Sequence, residues 1–165
     1  MSQSKTKTVA PEGTALNRAS NLPEFDRSLP MSLLRAREAV MKKFIPSLKE
    51  QGLSPQQWRV IRALEQQNGV EISVLAERCY LLMPSMSRIA PNLESRQLIE
   101  RRSVASDQRR SALFLTPKGL DLFQLIAPKS AERYEHITQE FGYGKLELLY
   151  QLLDELVVSL NQSDK

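Results

Sequence analysis

Apolar positions recur at spacings of three and four from Leu33 through Val40, Met41, Phe44 and Leu48, with Arg37 on the same stripe. That period predicts one face of a helix about 20 residues long, beginning near Ser28 and stopping at Gly52. Pro46 lies inside the span and predicts a kink or an early ending near Phe44. Residues 1–27 mix Ser, Thr, Asn, Pro and charges with scattered apolar positions, which predicts a mobile arm; wrapping of a partner is the alternative.

Leu53-Ser54-Pro55-Gln56-Gln57 opens a second helix, with Ser54 as cap, Pro55 in the first turn and Gln57 three after the cap. It carries Trp58, Val60, Ile61 and Leu64 and ends near Asn68-Gly69. Val70-Glu71-Ile72 reads as a short extended link. Ser73 then begins a helix with Val74, Leu75, Ala76 and Cys79. Tyr80-Leu81-Leu82 turns into another, which starts with Pro84 and carries Met86, Ile89, Ala90 and Leu93. Pro91 should bend or strain that helix, while Ile89, Leu93 and Leu98 still keep a buried stripe.

Two strands follow, from Leu98 to Val104 and from Ser111 to Thr116, with Asp107-Gln108-Arg109-Arg110 at the tip of the hairpin. Thr116-Pro117-Lys118-Gly119 caps a long helix through Phe123, Ile126, Tyr134 and Ile137, with Pro128 a candidate kink. After a break at Phe141-Gly142-Tyr143-Gly144, Leu146, Leu149, Leu152, Leu153, Leu156, Val157 and Leu160 form a final amphipathic helix.

The fold class is therefore mainly α with a small antiparallel β wing: a winged helix-turn-helix. In such a fold the helix from Pro84 can enter a major groove while the arginine-tipped wing reaches an adjacent minor groove. Four segments follow: a mobile arm at 1–27, a first helix at 28–52, a DNA-binding winged helix-turn-helix at 53–118, and terminal helices at 119–165. The first and last helices carry more apolar surface than a small reading head covers, which predicts a homodimer built from them; packing within one chain is the alternative.

Charge sharpens this picture. The 165 residues carry a net +4, but residues 83–118 hold seven Arg/Lys against three Asp/Glu, and residues 119–165 hold four against eight. The basic excess favours the reading segment, and the acidic end would be repelled by phosphate. A solvated charged surface gives the same counts. Cys79 is the single cysteine, which excludes an internal disulfide and fits a reducing, cytoplasmic setting. No long apolar run predicts a membrane span, and the N-terminal run lacks an apolar signal core. No Gly-rich phosphate loop or nucleophile–base pair stands out, so neither an enzyme nor a cofactor is expected. His136 is the single histidine, which excludes a multi-histidine metal site.

Asp107-Gln108-Arg109-Arg110 resembles the wing of the MarR family of bacterial transcription regulators, which shows Asp-x-Arg-Arg or Asp-x-Arg-Lys there and then a strand ending in Leu-Thr-x-x-Gly. Here that strand reads Leu113-Phe114-Leu115-Thr116-Pro117-Lys118-Gly119. Leu53 to Trp58, Leu75-Ala76, Arg88 and Leu98-Ile99 are similar to the rest of that pattern, over roughly residues 30–160. Ala36-Arg37-Glu38-Ala39 with Gln57-Trp58-Arg59-Val60-Ile61-Arg62 looks like the narrower branch that represses homoprotocatechuate (4-hydroxyphenylacetate) degradation operons, close to regulators of hydroxycinnamate catabolism. Pro91 departs from the pattern.

The resemblance implies a repressor of an aromatic-acid catabolic operon that leaves duplex operator DNA on binding a small phenolic carboxylate. The DNA-binding candidates are Ser85, Ser87 and Arg88 on the reading helix and Asp107, Arg109 and Arg110 on the wing. Arg88 suits guanine, Arg109 the minor groove and Arg110 a phosphate, with Asp107 orienting an arginine. The serines can instead cap a helix, Arg88 can pair with an acid such as Asp107, and the tip can be a plain charged turn. Arg37, on an apolar stripe, needs a carboxylate partner, from the protein or from an aromatic acid. Ser28, Met31, Leu34, Arg35, Trp58 and Arg62 are candidates to line the same effector cavity. Two rivals stand beside this reading. One is a redox-sensing repressor using Cys79, although the family's hydroperoxide sensors place that cysteine near the first helix. The other is a helical interaction module with a basic hairpin.

Overall fold

The computed structural model describes residues 22–104 and 107–163, with 104, 107–110 and 163 given by backbone alone. The expected arm therefore lies outside the described residues from 1 to 21. The chain divides into two compact units, residues 1–42 and 43–165.

In the first unit a 3-10 turn, Phe25–Arg27, leads into helix α1, Leu29–Glu50, whose C-terminal end belongs to the second unit. Ser28 joins turn to helix: its hydroxyl donates to the Phe25 carbonyl at 2.8 Å, and its own carbonyl accepts from the Ser32 N–H at 3.0 Å. The end of the expected arm is thus ordered into this turn.

In the second unit α1 runs on to Glu50 rather than ending near Phe44. Pro46 is exposed while Phe44, Ser47 and Leu48 are buried, so the missing proline donor falls on the solvent side and packing holds the helix. Pro91 and Pro128 follow the same rule. Both are exposed, and helices α4, Met83–Ser95, and α5, Pro117–Phe141, continue through them.

Helix α2, Pro55–Gln66, begins with the expected capping box: Ser54 Oγ accepts from the Gln57 N–H at 3.2 Å, and Gln57 Oε1 accepts from the Ser54 N–H at 2.8 Å. The expected link is in fact a strand. β1, Val70–Glu71, pairs antiparallel with β3, Asp107–Leu115, which also pairs with β2, Ile99–Val104, in the order β1-β3-β2. Helix α3 spans Ile72–Arg78, so it starts one residue before Ser73 and without a side-chain cap. Helix α6, Tyr143–Ser163, follows α5 after Gly142.

One core joins these elements. Leu48, Ile61, Leu64, Leu75, Met86, Leu93, Ile99, Leu113 and Ile126 are all buried in it, and Trp58 stacks on Phe123 with ring centroids 5.6 Å apart. Each of α1 to α5 and both long strands contributes, which fixes the reading helix against the wing.

Three helices end in the same hydrogen-bond pattern. At the end of α4, Gln97 N–H donates to Glu94 and Leu98 N–H to Leu93, with Gln97 at φ +59°. Glycine takes that conformation without cost, as Gly52 does at the end of α1. Gln97→Gly is therefore expected to raise stability by about 0.5–1 kcal/mol. Urea unfolding measures it, and a lower midpoint would contradict the assignment.

Candidate nucleic-acid interface and effector residues

The helix-turn-helix is α3, the turn 79–82 and α4. The turn closes with Tyr80 N–H on the Glu77 carbonyl and Leu81 N–H on the Ala76 carbonyl, both at 2.9 Å, with Tyr80 at φ +50°. Arginines outside α4 fix this unit. Arg59 Nη1 donates to the Cys79 carbonyl at 2.8 Å, and Arg78 donates to the Gln66 and Gln67 side chains at 2.9 and 3.2 Å. Gln57 Nε2 donates to Asn92 Oδ1 at 2.7 Å, which ties α2 to α4.

Met86, Ala90 and Leu93 are the buried face of α4. Ser87 and Arg88 lie on the exposed face, and Ser85 is half-buried. Leu82 is the N-cap and no side chain caps the helix, so neither serine serves as the cap. Arg88 has no ion-pair partner among the described residues, and no acid stands in the first turn of α4. An exposed, unpaired guanidinium on a helix is the kind of group that groove recognition uses.

Much of the basic excess of residues 83–118 is otherwise committed. Arg96 donates to the Gln51 and Gly52 carbonyls at 3.0 and 2.9 Å, and Arg101 pairs with both oxygens of Glu94 at 3.1 and 3.2 Å. Arg102 pairs with Glu100 and lies over the Phe114 ring, 4.4 Å from its centroid. These are braces of the reading head, a role that counting charges did not separate from DNA contact.

The wing departs from the expected hairpin. Ser103 faces Ser111 and Val104 faces Asp107, so 108–110 are looped out of the ladder on the β3 side. Arg109 and Arg110 therefore sit in a bulge of β3 instead of in the turn itself; such bulges re-aim a strand where pairing ends. The side chains of Asp107, Arg109 and Arg110 lie outside the described residues. At the wing's base, Thr116 Oγ1 accepts from the Gly119 N–H at 3.0 Å and donates to the Gln97 carbonyl at 2.7 Å, while its backbone N–H donates to the Leu98 carbonyl at 3.1 Å.

The effector candidates fall on both units. In the first, Arg37 is exposed and pairs with the neighbouring Glu38 at 2.5 Å, and Leu33, Leu34 and Val40 are exposed with it. The expectation of a buried Arg37 is corrected: the stripe is exposed around it, at Leu33 and Val40, and a protein acid, Glu38, supplies its partner. Arg35 is exposed, and Ser28 and Met31 are half-buried. In the second unit Trp58 is buried, and Arg62 Nη1 donates to the Tyr134 hydroxyl at 3.3 Å. The Tyr134 ring lies 4.9 Å from that of Phe44. Arg62 has no carboxylate partner among the described residues. In the sequence Tyr134 is only part of the apolar content of the long helix; its contact with Arg62, 72 residues away in the chain, is what marks it.

Cys79 is buried at the end of α3, and burial pushes its thiol up against the opposing pull of Arg59 and Arg78. A thiol held protonated is a poor redox sensor. His136 is exposed on α5, 3.2 Å from Glu140. Among the described residues no helix is long and apolar enough to cross a membrane.

Residues 51–110 match the MarR family. The HTH-type transcriptional regulator FarR of Neisseria gonorrhoeae is 38% identical over 78% of this chain and 88% of its own length. The homoprotocatechuate degradative operon repressor of Escherichia coli is 35% identical over 79% and 88%. Among solved structures, NadR in complex with 4-hydroxyphenylacetate is 36% identical over 82% of this chain and 96% of that one, with a TM-score of 0.71. Identity at this level across nearly the whole length of these relatives, on a winged helix-turn-helix, places the chain in the MarR family of DNA-binding transcriptional regulators, which are not enzymes.

Proposed function

We propose that the chain is a homodimeric repressor of an aromatic-acid catabolic operon, released from its operator by a small phenolic carboxylate. Ser85, Ser87 and Arg88 enter the major groove, Arg109 the minor groove, and Arg110 a phosphate, with Asp107 orienting the wing. The apolar residues left exposed on α6, among them Leu148, Leu149, Leu152, Val157 and Leu160, are the surface a second copy covers.

Arg62 carries the effector reading. Its guanidinium rests on a phenol hydroxyl, has no acid within 4.0 Å among the described residues, and stands one helical turn from Trp58. A carboxylate there gains a charge-assisted, bidentate contact, with aromatic walls for its ring. NadR was solved with 4-hydroxyphenylacetate, an acid of this shape, and a second relative is named for control of homoprotocatechuate degradation. Ser28, Met31, Leu34, Arg35 and Arg37 join the proposal on sequence grounds.

Calorimetric titration with 4-hydroxyphenylacetate, homoprotocatechuate and ferulate tests it. One of them should bind, and Arg62→Gln should weaken that binding by about 1.5–3 kcal/mol, the usual worth of a hydrogen bond to a charged group. Silence from all three would remove the effector claim and leave DNA binding standing.

A further inference from the structure

The turn before the reading helix presents apolar side chains to solvent. Leu82 is 78% exposed and Met83 44%, and Pro84 beside them is exposed too. Leu82 is the N-cap of α4. Its carbonyl accepts from the Ser85 and Met86 N–H groups at 2.9 and 3.0 Å, but its side chain satisfies none of the helix's free donors. Helices prefer Ser, Thr, Asp or Asn at that position, so this helix forgoes a cap and shows an isobutyl group in its place.

Met83 and Ser87 are four residues apart, as are Pro84 and Arg88, so each pair shares a row of α4 and all four side chains are exposed; Pro84 and Arg88 stand opposite the buried Met86, Ala90 and Leu93, and Met83 and Ser87 flank that buried face. The face that carries the polar contacts therefore begins with apolar surface. In a major groove the one apolar feature of a base edge is the C5-methyl of thymine.

We propose that Leu82 and Met83 are specificity-determining residues that read thymine methyl groups, beside the base pairs met by Ser87 and Arg88. The assignment rests on the DNA-binding reading above and adds a base class to it. The occupant follows from continuity with the reading face, because no other part of a duplex edge there matches an aliphatic side chain.

The test uses the full chain and a duplex it recovers from a randomised library. Each thymine is replaced in turn by deoxyuridine, which removes the methyl and keeps every hydrogen-bonding group. Affinity should fall about four-fold at one or two thymines in each half-site, the usual effect of losing one buried methyl contact. The Leu82→Ala, Met83→Ala variant, whose changes are on exposed side chains, should keep its circular dichroism and bind the thymine and uracil duplexes equally. Full-strength binding of every uracil duplex by the parent would overturn the proposal, as would a methyl effect that survives in the double variant. Failure to recover any duplex would overturn the DNA-binding reading beneath it.

Discussion

Replacing Arg88 and Arg109 together by alanine should abolish sequence-specific binding while leaving the fold intact. Arg88 is the single cation of α4 and stands exposed with no protein partner among the described residues, so removing it takes away a groove contact and no internal brace. A bidentate arginine–base contact is worth about 1–3 kcal/mol of discrimination in each half-site, and a minor-groove arginine from the wing adds to it. Fluorescence anisotropy against a recovered duplex and a scrambled one, over a salt series, should then give two nearly equal affinities. Arg110→Ala should behave differently, weakening both duplexes alike and reducing the slope of log affinity against log salt by about one. Arg101→Ala makes the opposite control. It breaks the bidentate pair with Glu94 and should act on the stiffness of the wing base rather than on base choice. A double variant that holds its duplex as tightly as the parent would remove the groove assignment.

The reading head was largely legible because its signals are local. Ser54 and Gln57 stand at capping-box spacing, Thr116 and Pro117 mark a helix start, and Leu75, Met86 and Leu93 fall where a helical period puts a core. What the period could not tell was what covers a face. Leu33, Arg37 and Val40 share the stripe of Phe44 and Leu48, yet the stripe is exposed at its start and buried at its end. The same limit applies to Pro46, where the period allows an early ending, while the helices kept through Pro91 and Pro128 do continue. All three prolines are exposed, so the lost bond falls on the solvent side in each case. The extended link at Val70–Glu71 does not show its pairing in sequence because two residues carry no alternation; only its partners, Ala112 and Leu113, make it a strand. Arginines divided least readily. Arg59, Arg78, Arg96 and Arg101 look like Arg88 in sequence, and only their acceptors show that they brace the protein.

Gly119→Ala should destabilise the chain by about 3 kcal/mol or more, the largest effect expected of any single methyl. A Cβ at this position would stand 2.1 Å from the Leu98 carbonyl oxygen and 2.7 Å from Leu115 Cδ1. The first neighbour is backbone and cannot turn aside. That carbonyl is also the acceptor for the Thr116 N–H, so moving it strains the junction where the wing's second strand passes into α5. Thr116 would lose its hold as well, because its hydroxyl accepts from the displaced Gly119 N–H. This is the physical content of the Leu-Thr-x-x-Gly pattern: the threonine caps the helix, and the glycine lets that helix start against the loop leaving α4. For a chain of this size the loss corresponds to a fall in Tm of about 6–12 °C. Gly144→Ala supplies the control, since nothing lies within 4 Å of a Cβ there and the residue is in a helix, so alanine should be neutral or stabilising. Scanning calorimetry of the two variants separates close approach from glycine content. If Gly119→Ala melts with the parent, the wing is not pinned at Leu98 and its arginines are not held to a fixed distance from α4.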